Sequence, residues 1–200
     1  MIMKKLIFAT SNPNKVREIK EILSDTGYEI LSMADAGIDV EIIEDGKTFA
    51  ENALIKARTV CQASGMPAFA DDSGLEVDAL GGEPGIYSAR YMGEDTSYDI
   101  KNQNIIDRLE GVPDEKRTAR FVCAMAAVFP DGTEVVKVET MEGRIGYKIA
   151  GENGFGYDPI FFLPEYGKTS AEISPEEKNA ISHRGKALRA MAEYLNTRED

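Results

Sequence analysis

The first part of the chain passes from a strand pattern directly into a helix pattern, and this order restricts the fold more than any other feature. Residues 5–10 (KLIFAT) are typical of a buried strand. After Asn12-Pro13-Asn14, apolar side chains recur at helical spacing, at Val16, Ile19, Ile22 and Leu23. A strand, a short loop and a helix form the basic unit of α/β proteins, in which helices cover a sheet.

The middle of the chain predicts a second helix followed by a second strand. Thr48 and Glu51 have the spacing of a capping box, which predicts a helix that begins there and ends near Gly65. The apolar residues 67–70 predict a strand that gives way to a loop at Asp71-Asp72-Ser73-Gly74. Ends of strands often carry functional side chains, so this predicted loop is a candidate site.

The second half of the chain adds a hairpin and closing helices. Residues 120–129 and 134–141 are strand-like and flank the turn sequence Pro130-Asp131-Gly132-Thr133. Ser174-Pro175-Glu176-Glu177 predicts the start of a helix, and an apolar stripe predicts helix at Leu188, Met191, Ala192 and Leu195. The sequence therefore predicts one α/β domain, residues 1–200, with a mixed twisted sheet flanked by helices.

The composition excludes several classes of protein. A formal net charge of −12 opposes binding to nucleic acid or to an anionic membrane, whereas a nucleotide needs only a local positive pocket or a bound cation. Cys61 and Cys123 lack the spacing of a zinc site or a disulfide framework. The apolar stretch in MIMKKLIFAT is too short for a membrane span or a signal segment. We therefore expect a cytoplasmic protein that acts on a small molecule.

Polar residues at the first strand-to-helix junction form one candidate site, which consists of Thr10, Ser11, Asn12, Pro13, Asn14 and Lys15. Free N–H groups at a helix N-terminus and the Lys15 ammonium favour a polyphosphate. The segment lacks the Walker glycine pattern, and Ser-Asn-Pro-Asn is equally typical of a plain turn with a helix cap. Both interpretations stay open at this point.

A second candidate site consists of acidic residues from two segments, namely Glu44, Asp45, Glu51, Asp71 and Asp72. Mg²⁺ takes hard oxygen ligands and usually binds through one or two carboxylates together with substrate phosphates. Glu44 and Asp45 also fit a solvated loop, and Glu51 also fits a helix cap. Asp71 and Asp72 adjoin an apolar strand, where carboxylates are costly unless a cation or hydrogen bonds satisfy them.

Three further segments carry candidate functional residues. The glycine-rich residues 80–90 predict either a structural turn or a loop that approaches a ligand or a partner subunit. Residues 154–159 alternate glycine with aromatic residues, so Phe155 is either a stacking platform for a base or part of an aromatic turn in the core. His183 and Arg184 lie in a locally cationic segment, which favours an anion or a carbonyl-rich base.

Taken together, six segments resemble the inosine triphosphate pyrophosphatase family. They are Thr10-Ser11-Asn12-Pro13-Asn14-Lys15, Thr48-Phe49-Ala50-Glu51-Asn52-Ala53, Ala70-Asp71-Asp72-Ser73-Gly74-Leu75, Gly81-Gly82-Glu83-Pro84-Gly85, Phe155-Gly156-Tyr157-Asp158-Pro159 and Ser182-His183-Arg184. They occur in the family's order, and their joint match is far more specific than any one of them. Ser11 replaces a commoner glycine, a change that keeps the neighbouring hydroxyl and amide groups.

The resemblance implies an activity and an architecture. The implied reaction is hydrolysis of ITP, dITP and XTP between the α and β phosphorus atoms, which gives a nucleoside monophosphate and pyrophosphate and cleanses the nucleotide pool. The implied architecture is a mixed sheet in two lobes around a central nucleotide cleft, with a Mg²⁺ requirement and a homodimer.

The resemblance also implies roles for individual residues. Asp72 would be proton acceptor and metal ligand, with Glu44 as a further acidic ligand of Mg²⁺, and Ser73 would lie beside the substrate. A carboxylate near Mg²⁺ either takes the proton of water directly or holds the metal that acidifies the water, and the sequence leaves both roles open for Asp72. The phosphates would bind at Thr10, Ser11, Asn12, Pro13, Asn14 and Lys15. The nucleoside would bind at Phe155, Gly156, Tyr157, Asp158, Lys178, His183 and Arg184. Arg184 would donate to O6 of the base and so reject adenine, whose amino group is itself a donor.

Rival functions come from within and outside the enzymes. One is a pyrophosphatase of the same build that prefers modified pyrimidines or standard purines. Another is a catalytically idle nucleotide sensor, which needs the binding residues but not the pair Asp72 and Glu44. Because both acids are present, the enzyme is favoured. A structural or protein-interaction domain would leave the joint occurrence of the six segments unexplained.

Overall fold

The computed structural model describes residues 4–10, 12–23 and 27–198. Its strands are β1 Lys4–Phe8, β2 Tyr28–Ser32, β3 Ala68–Val77, β4 Thr118–Val128, β5 Glu134–Ile145, β6 Phe161–Leu163 and β7 Lys168–Thr169. Its α-helices are α1 Pro13–Ile22, α2 Phe49–Ser64, α3 Tyr98–Arg108, α4 Pro175–Ile181 and α5 His183–Thr197. None of these described helices is long and apolar enough to cross a membrane.

The described strands form one seven-stranded mixed sheet in the order β2-β1-β3-β4-β5-β6-β7. β1 pairs in parallel with β2 and with β3, whereas β6 pairs antiparallel with β5 and with β7. Parallel neighbours need crossover connections, and α1 and α2 lie in the two that join β1, β2 and β3. The predicted α/β fold with a mixed sheet flanked by helices is confirmed.

The chain forms two compact units, and β3, β4 and β5 each contribute residues to both of them. The first unit contains the described residues up to Asp72, together with Cys123–Glu139 and those from Arg184 onward. The second unit contains Ser73–Val122 and Thr140–His183. Each unit has its own apolar core.

The core of the first unit is built on one face of its strands, because alternate residues of a strand point to the same side. The strand residues are Leu6, Phe8, Phe69, Cys123, Met125 and Ala127, and the rings of Phe8 and Phe69 stack with their centroids 4.7 Å apart. Helix α1, together with Leu23 just after it, and helix α5 cover this face; the residues are Ile19, Leu23, Ala187, Leu188, Met191 and Leu195. The apolar stripe predicted for the last helix is therefore confirmed.

Local capping signals in the sequence correspond to the observed helix ends. Thr48 Oγ1 accepts a hydrogen bond from Glu51 N at the start of α2, and Gly65 ends that helix in the left-handed conformation, with a φ of +67°. Ser174 and Glu177 form a complete capping box at the start of α4. These bonds involve residues close in sequence, which is why the sequence predicts them well.

The acidic pair shows that one prediction is wrong. Asp71 and Asp72 do not begin a loop, because β3 continues without interruption from Ala68 to Val77. Adjacent strand residues point to opposite faces, so the two carboxylates do not crowd each other. Each is buried and each meets its own polar partners, which removes the cost that would otherwise exclude both from a sheet.

The core of the second unit contains a buried arginine. Arg117 is 2% exposed, and its guanidinium donates to three backbone oxygens, those of Leu109, Ile145 and Gly146, at 2.8–2.9 Å. The exposed Tyr147 ring lies against the same guanidinium, with its centroid 4.2 Å from Arg117 Cζ. The side chain therefore ties the segment after α3 to the end of β5.

We expect Arg117→Met to lower the free energy of unfolding by about 3 kcal/mol, because three backbone carbonyls, two of them on buried residues, lose a charged donor. Urea unfolding followed by circular dichroism measures this change. Lys116→Met is the matched control, since the neighbouring lysine is exposed and its replacement should change stability by less than about 0.5 kcal/mol. Equal, small changes in both variants would contradict the structural role of Arg117.

Candidate active site

The two carboxylates of β3 organise a cluster of charges in the first unit. Asp71 is 1% exposed and lies on the face that α1 and α5 cover, whereas Asp72 is 9% exposed and lies on the face toward α2. Asp71 Oδ2 is 3.1 Å from Lys15 Nζ of α1 and 3.4 Å from Arg184 Nε of α5. One buried oxygen therefore holds two cations that are far apart in sequence.

Arg184 has a second carboxylate partner. Its Nη1 pairs with Glu18 Oε2, and Glu18 lies on α1 one turn after Lys15. Burial favours the neutral form of Asp71, but the charges of Lys15, Arg184 and Lys56 outweigh it and lower the pKa of Asp71 below its ordinary value. The four side chains Lys15, Glu18, Asp71 and Arg184 thus balance two positive and two negative charges.

The start of α1 resolves the two interpretations of the first candidate site in part. Asn12 is the helix cap, because its Oδ1 accepts from Asn14 N at 3.0 Å and from Lys15 N at 3.4 Å. Thr10 Oγ1 accepts from Asn12 N, and Pro13 occupies the first helical turn. The capped turn is therefore present, and Lys15 adds a positive charge beside it. Ser11 lies outside the described residues.

Asp72 meets polar side chains of α2. Asn52 and Lys56 are one helical turn apart on that helix, and both face the sheet. Asn52 Nδ2 donates to Asp72 Oδ2 at 3.1 Å, and its Oδ1 accepts from Gly46 N at 2.9 Å. Asn52 therefore links the loop before α2 to the carboxylate of Asp72.

Lys56 joins Asp72 to the second predicted metal ligand. Its Nζ is 2.9 Å from Glu44 Oε2 and 3.5 Å from Asp72 Oδ1. Burial raises the pKa of Asp72, and the charges of Lys56 and Lys15 offset this only in part. For Lys56, burial alone would lower the pKa, but its acidic neighbours outweigh burial and raise it. Glu44 and Asp72 therefore both contact the ammonium group of Lys56.

This donor set fits Mg²⁺ with few protein ligands. Within residues 4–10, 12–23 and 27–198, no group of three or more histidine, cysteine, aspartate or glutamate side chains could hold a metal ion. Glu44 and Asp72 provide two hard carboxylates that already share a cation, the ammonium of Lys56. Two carboxylates completed by water and substrate phosphates are usual for Mg²⁺. The residues therefore fit a magnesium ion that binds together with a phosphorylated ligand.

The other acidic candidates have different surroundings. Glu51 Oε2 accepts from Lys47 N at 2.6 Å, so its carboxylate stabilises the start of α2. Asp45 is exposed, in agreement with the solvated-loop interpretation. Ser73, the residue after Asp72 on β3, is half-buried.

The aromatic segment 154–158 forms a tight turn in the second unit. Asp158 is 2% exposed, and its Oδ2 accepts from Phe155 N at 2.9 Å and from Lys178 Nζ at 2.7 Å. Its Oδ1 accepts from Ser170 Oγ at 2.8 Å. Gly154 and Gly156 have φ angles of +74° and +69°, which favour glycine. Asp158 is therefore the internal anchor of the turn.

Both interpretations of the aromatic segment, a turn packed in the core and a platform for a base, find a side chain that fits them. Tyr157 is 4% exposed and donates from its hydroxyl to Ser88 O at 2.7 Å, so it belongs to the core. Phe155 is half-buried, and Lys178 Nζ lies 5.1 Å from its ring centroid. His183 is buried, and its ring stacks on Phe121 with the centroids 5.0 Å apart. Phe155 is thus the aromatic ring of this turn that reaches toward solvent.

The glycine-rich residues 80–90 form a structural turn that contacts the segment 154–158 through the bond between Tyr157 and Ser88. Ser88 Oγ accepts from Leu75 N at 2.9 Å and donates to Gly85 O at 2.6 Å, which fixes the turn against β3. Gly81 adopts a left-handed conformation with a φ of +66°. The turn-forming interpretation of this segment is supported by these bonds.

Comparison with known proteins identifies the chain's relatives. The model of the Ham1 family matches residues 6–194. The chain belongs to the Ham1 family. The resemblance noted in the sequence is thereby confirmed over nearly the whole chain, including every segment on which it rested.

Curated and solved Ham1 relatives are similar over their full length. The dITP/XTP pyrophosphatase of Vibrio parahaemolyticus is 50% identical over 196 residues, which are 97% of this chain and 98% of that protein. That of Clostridium perfringens is 48% identical, over 96% of this chain and 98% of that protein. The solved Ham1 protein of Coxiella burnetii has a TM-score of 0.90 at 38% identity, over 98% of this chain and 100% of that one.

Some residues of this Ham1 site were missed by the sequence analysis. Lys56 and Asn52 contact Asp72, and Glu18 contacts Arg184. A signal was present for two of them, since Asn52 and Lys56 lie four residues apart on the helical face that also carries Ala53 and Ala57. Polar residues on a buried helix face need partners, and the nearby acids supply them.

Proposed function

We propose that this Ham1 protein hydrolyses the deaminated purine nucleotides ITP, dITP and XTP to the nucleoside monophosphate and pyrophosphate. The observation that carries the proposal is the convergence of Glu44 and Asp72 on the ammonium group of Lys56. Relatives named dITP/XTP pyrophosphatases, about half identical over nearly the whole chain, support the same reaction. The protein is accordingly a hydrolase of nucleotide metabolism.

The residues of the first unit provide the charges that a triphosphate requires. Lys15 and Lys56 place ammonium groups on either side of the acidic pair, where they can neutralise phosphate oxygens. We assign phosphate contacts to Thr10, Ser11, Asn12, Pro13, Asn14 and Lys15. The side chain of Asn12 already satisfies two backbone amides at this helix start, so Lys15 supplies most of the attraction.

Asp72 is assigned as the proton acceptor for the attacking water. Asn52 and Lys56 hold its two oxygens from α2, so the carboxylate has a defined orientation. Glu44 and Asp72 would hold Mg²⁺, which, when bound, supplies positive charge to the phosphates and to the leaving pyrophosphate. Ser73 lies next to Asp72 and is assigned to a substrate contact.

The second unit supplies residues for the nucleoside. We assign the base to Phe155 as a stacking platform, within the turn that also contains Gly156, Tyr157 and Asp158. Lys178 contacts this turn through Phe155 and Asp158, and we assign Lys178 and His183 as donors to the nucleoside. Arg184 belongs to the first unit, where Asp71 and Glu18 hold it in a fixed orientation. We assign it as a donor to O6, an oxygen that adenine lacks.

The proposal extends to the state of the protein in the cell. We propose that residues 1–200 act as one functional domain, that the protein is cytoplasmic and that it forms a homodimer. Exposed large apolar side chains of the second unit support self-association, because a second copy would cover them; they include Tyr87, Met92 and Ile100. The net charge of −12 supports a small-molecule substrate over nucleic acid or a membrane.

Phosphorus NMR of the products from ITP tests which bond is cleaved and whether a metal ion is needed. We expect IMP and pyrophosphate with Mg²⁺, and no hydrolysis after EDTA removes the metal. Release of orthophosphate with IDP would place cleavage at the β–γ bond and contradict the proposal. Undiminished hydrolysis in EDTA would contradict the assignment of Glu44 and Asp72 as metal ligands.

A further inference from the structure

The turn 154–158 has an anchor on α3 that no assignment above includes. Asn102 is 1% exposed, and its Nδ2 donates to the carbonyl oxygen of Gly156 at 3.0 Å. Gly156 is the residue after Phe155, so this bond fixes the Gly156–Tyr157 peptide, one residue beyond the proposed base platform. On the other side of Phe155, Asp158 Oδ2 accepts a hydrogen bond from Phe155 N and fixes the peptide that precedes the ring. Phe155 is therefore held between two polar anchors.

A second contact from α3 supports the same turn. The rings of Tyr98 and Tyr157 meet edge to face, with centroids 5.2 Å apart and planes at 88°. A side chain at Gly156 would lie 3.6 Å from the Tyr98 ring, so the helix packs directly against this residue. One turn of α3 thus contacts the turn 154–158 through Tyr98 and Asn102.

Stability alone does not account for an asparagine at this position. Asn102 Oδ1 is buried and has no hydrogen-bond partner among the residues that the structure describes. Burying an acceptor in this state costs free energy, and an apolar side chain of similar size would avoid that cost. The side-chain amide of Asn102 donates its hydrogen bond to the turn. The role of Asn102 is therefore to hold the carbonyl group of Gly156 in a fixed position.

We propose that Asn102 is a positioning residue for nucleoside binding. Its amide fixes the Gly156 peptide and thereby the direction of the Phe155 ring on which the base stacks. This inference rests on the proposed function, since it assumes that Phe155 receives the base. The phosphate-binding residues lie in other segments of the chain, so Asn102 affects the nucleoside part of binding and leaves the phosphate part unchanged.

The kinetic test compares Asn102→Leu with the wild-type protein on ITP. We expect KM to rise about five- to tenfold, as expected for the loss of one positioning hydrogen bond, and kcat to stay within about twofold. The inhibition constant of inorganic pyrophosphate, which carries no base, is expected to remain unchanged. The melting temperature is expected to change little, because the variant removes an unsatisfied buried acceptor together with the bond to the Gly156 carbonyl.

A spectroscopic readout follows the ring directly. The chain contains no tryptophan, so Phe155→Trp introduces a single indole at the proposed platform. Titration with IMP is expected to quench this fluorescence, and adding Asn102→Leu is expected to weaken the apparent affinity by about five- to tenfold. A purely structural role for Asn102 would change the melting temperature without changing the quenching of folded protein.

Asn104→Leu is the matched control. Asn104 lies on the same helix, and its side chain accepts from the hydroxyl of Tyr91 and not from the turn. Its replacement should leave KM for ITP unchanged. If Asn102→Leu does not fold, Asn102→Ala, which removes the same bond without the larger side chain, decides in its place.

The proposed function and the positioning role of Asn102 can be contradicted separately. If the wild-type protein does not hydrolyse ITP, the proposed function is contradicted before any variant is compared. If it hydrolyses ITP and a folded Asn102 variant keeps the wild-type KM and the wild-type quenching, the positioning role is overturned. A rise in the inhibition constant of pyrophosphate equal to the rise in KM would also overturn it.

Discussion

Asp72→Asn is expected to lower kcat for ITP by about a thousandfold, within the range for loss of a proton-accepting group. The amide has nearly the same shape, but it cannot accept the proton of water and it binds a cation poorly. Because Lys15 and the nucleoside residues are untouched, the variant should still bind nucleotide. Single-turnover hydrolysis and equilibrium binding of ITP, measured on the same preparation, separate the two effects.

Asp131→Asn provides the control for this substitution. Asp131 is an exposed aspartate in the turn between β4 and β5, where it pairs with Arg198. Its replacement removes one negative charge from the same unit without touching β3, so kcat is expected to remain within about twofold. Turnover of Asp72→Asn at the level of this control would exclude Asp72 as the proton acceptor.

Gly154→Ala is expected to raise KM for ITP by more than about tenfold, an effect as large as the loss of an anchoring charged hydrogen bond. A Cβ atom at Gly154 would lie 2.2 Å from Asp158 Oδ2, and the residue has a φ of +74°. Asp158 must therefore move, and its bonds to Phe155 N and Lys178 Nζ would be broken. Steady-state kinetics together with a thermal melt measure the effect.

Gly167→Ala is the control that distinguishes backbone strain from the steric clash of a Cβ atom with Asp158. Gly167 has a similar φ of +64°, and a Cβ there would meet nothing within 4 Å. This variant carries the same conformational penalty, roughly 1 kcal/mol, but leaves Asp158 in place. If both variants raised KM equally, the turn 154–158 would have no special part in nucleoside binding.

The features that the sequence predicted are those set by neighbouring residues. The run Ser-Asn-Pro-Asn is typical of a turn with a helix cap, and the bonds from Asn14 N and Lys15 N identify Asn12 as that cap. Ser174 and Glu177 predict a capping box that the structure contains in full. Such signals span a few residues, so no tertiary information is needed to recognise them.

The charge cluster around β3 could not be derived in the same way. Asp71 is stabilised inside the strand by Arg184, which lies 113 residues away in the sequence. Without that partner, two adjacent acids after an apolar run are more typical of a loop, and this is why the strand end was predicted wrongly. Lys56 was missed for the related reason that its partners Glu44 and Asp72 lie outside its own helix.

The family resemblance supplied what local patterns could not. Neither spacing nor periodicity connects Glu44 with Asp72, yet the structure brings both to Lys56 Nζ. The roles assigned to Phe155, Lys178 and His183 remain proposals, because they concern contacts with a nucleotide. The geometry adds that Asp158 organises these residues from within the turn.

The measurement that tests the central claim most directly is kcat/KM for dITP, XTP, GTP and ATP under identical conditions with Mg²⁺. The proposed function predicts that dITP and XTP exceed ATP by at least about a hundredfold, because a donor placed for O6 meets the amino group of adenine. GTP is expected to rank well below dITP and XTP. Equal values for all four nucleotides would contradict a role in removing deaminated purines, even if pyrophosphate were the product in every case.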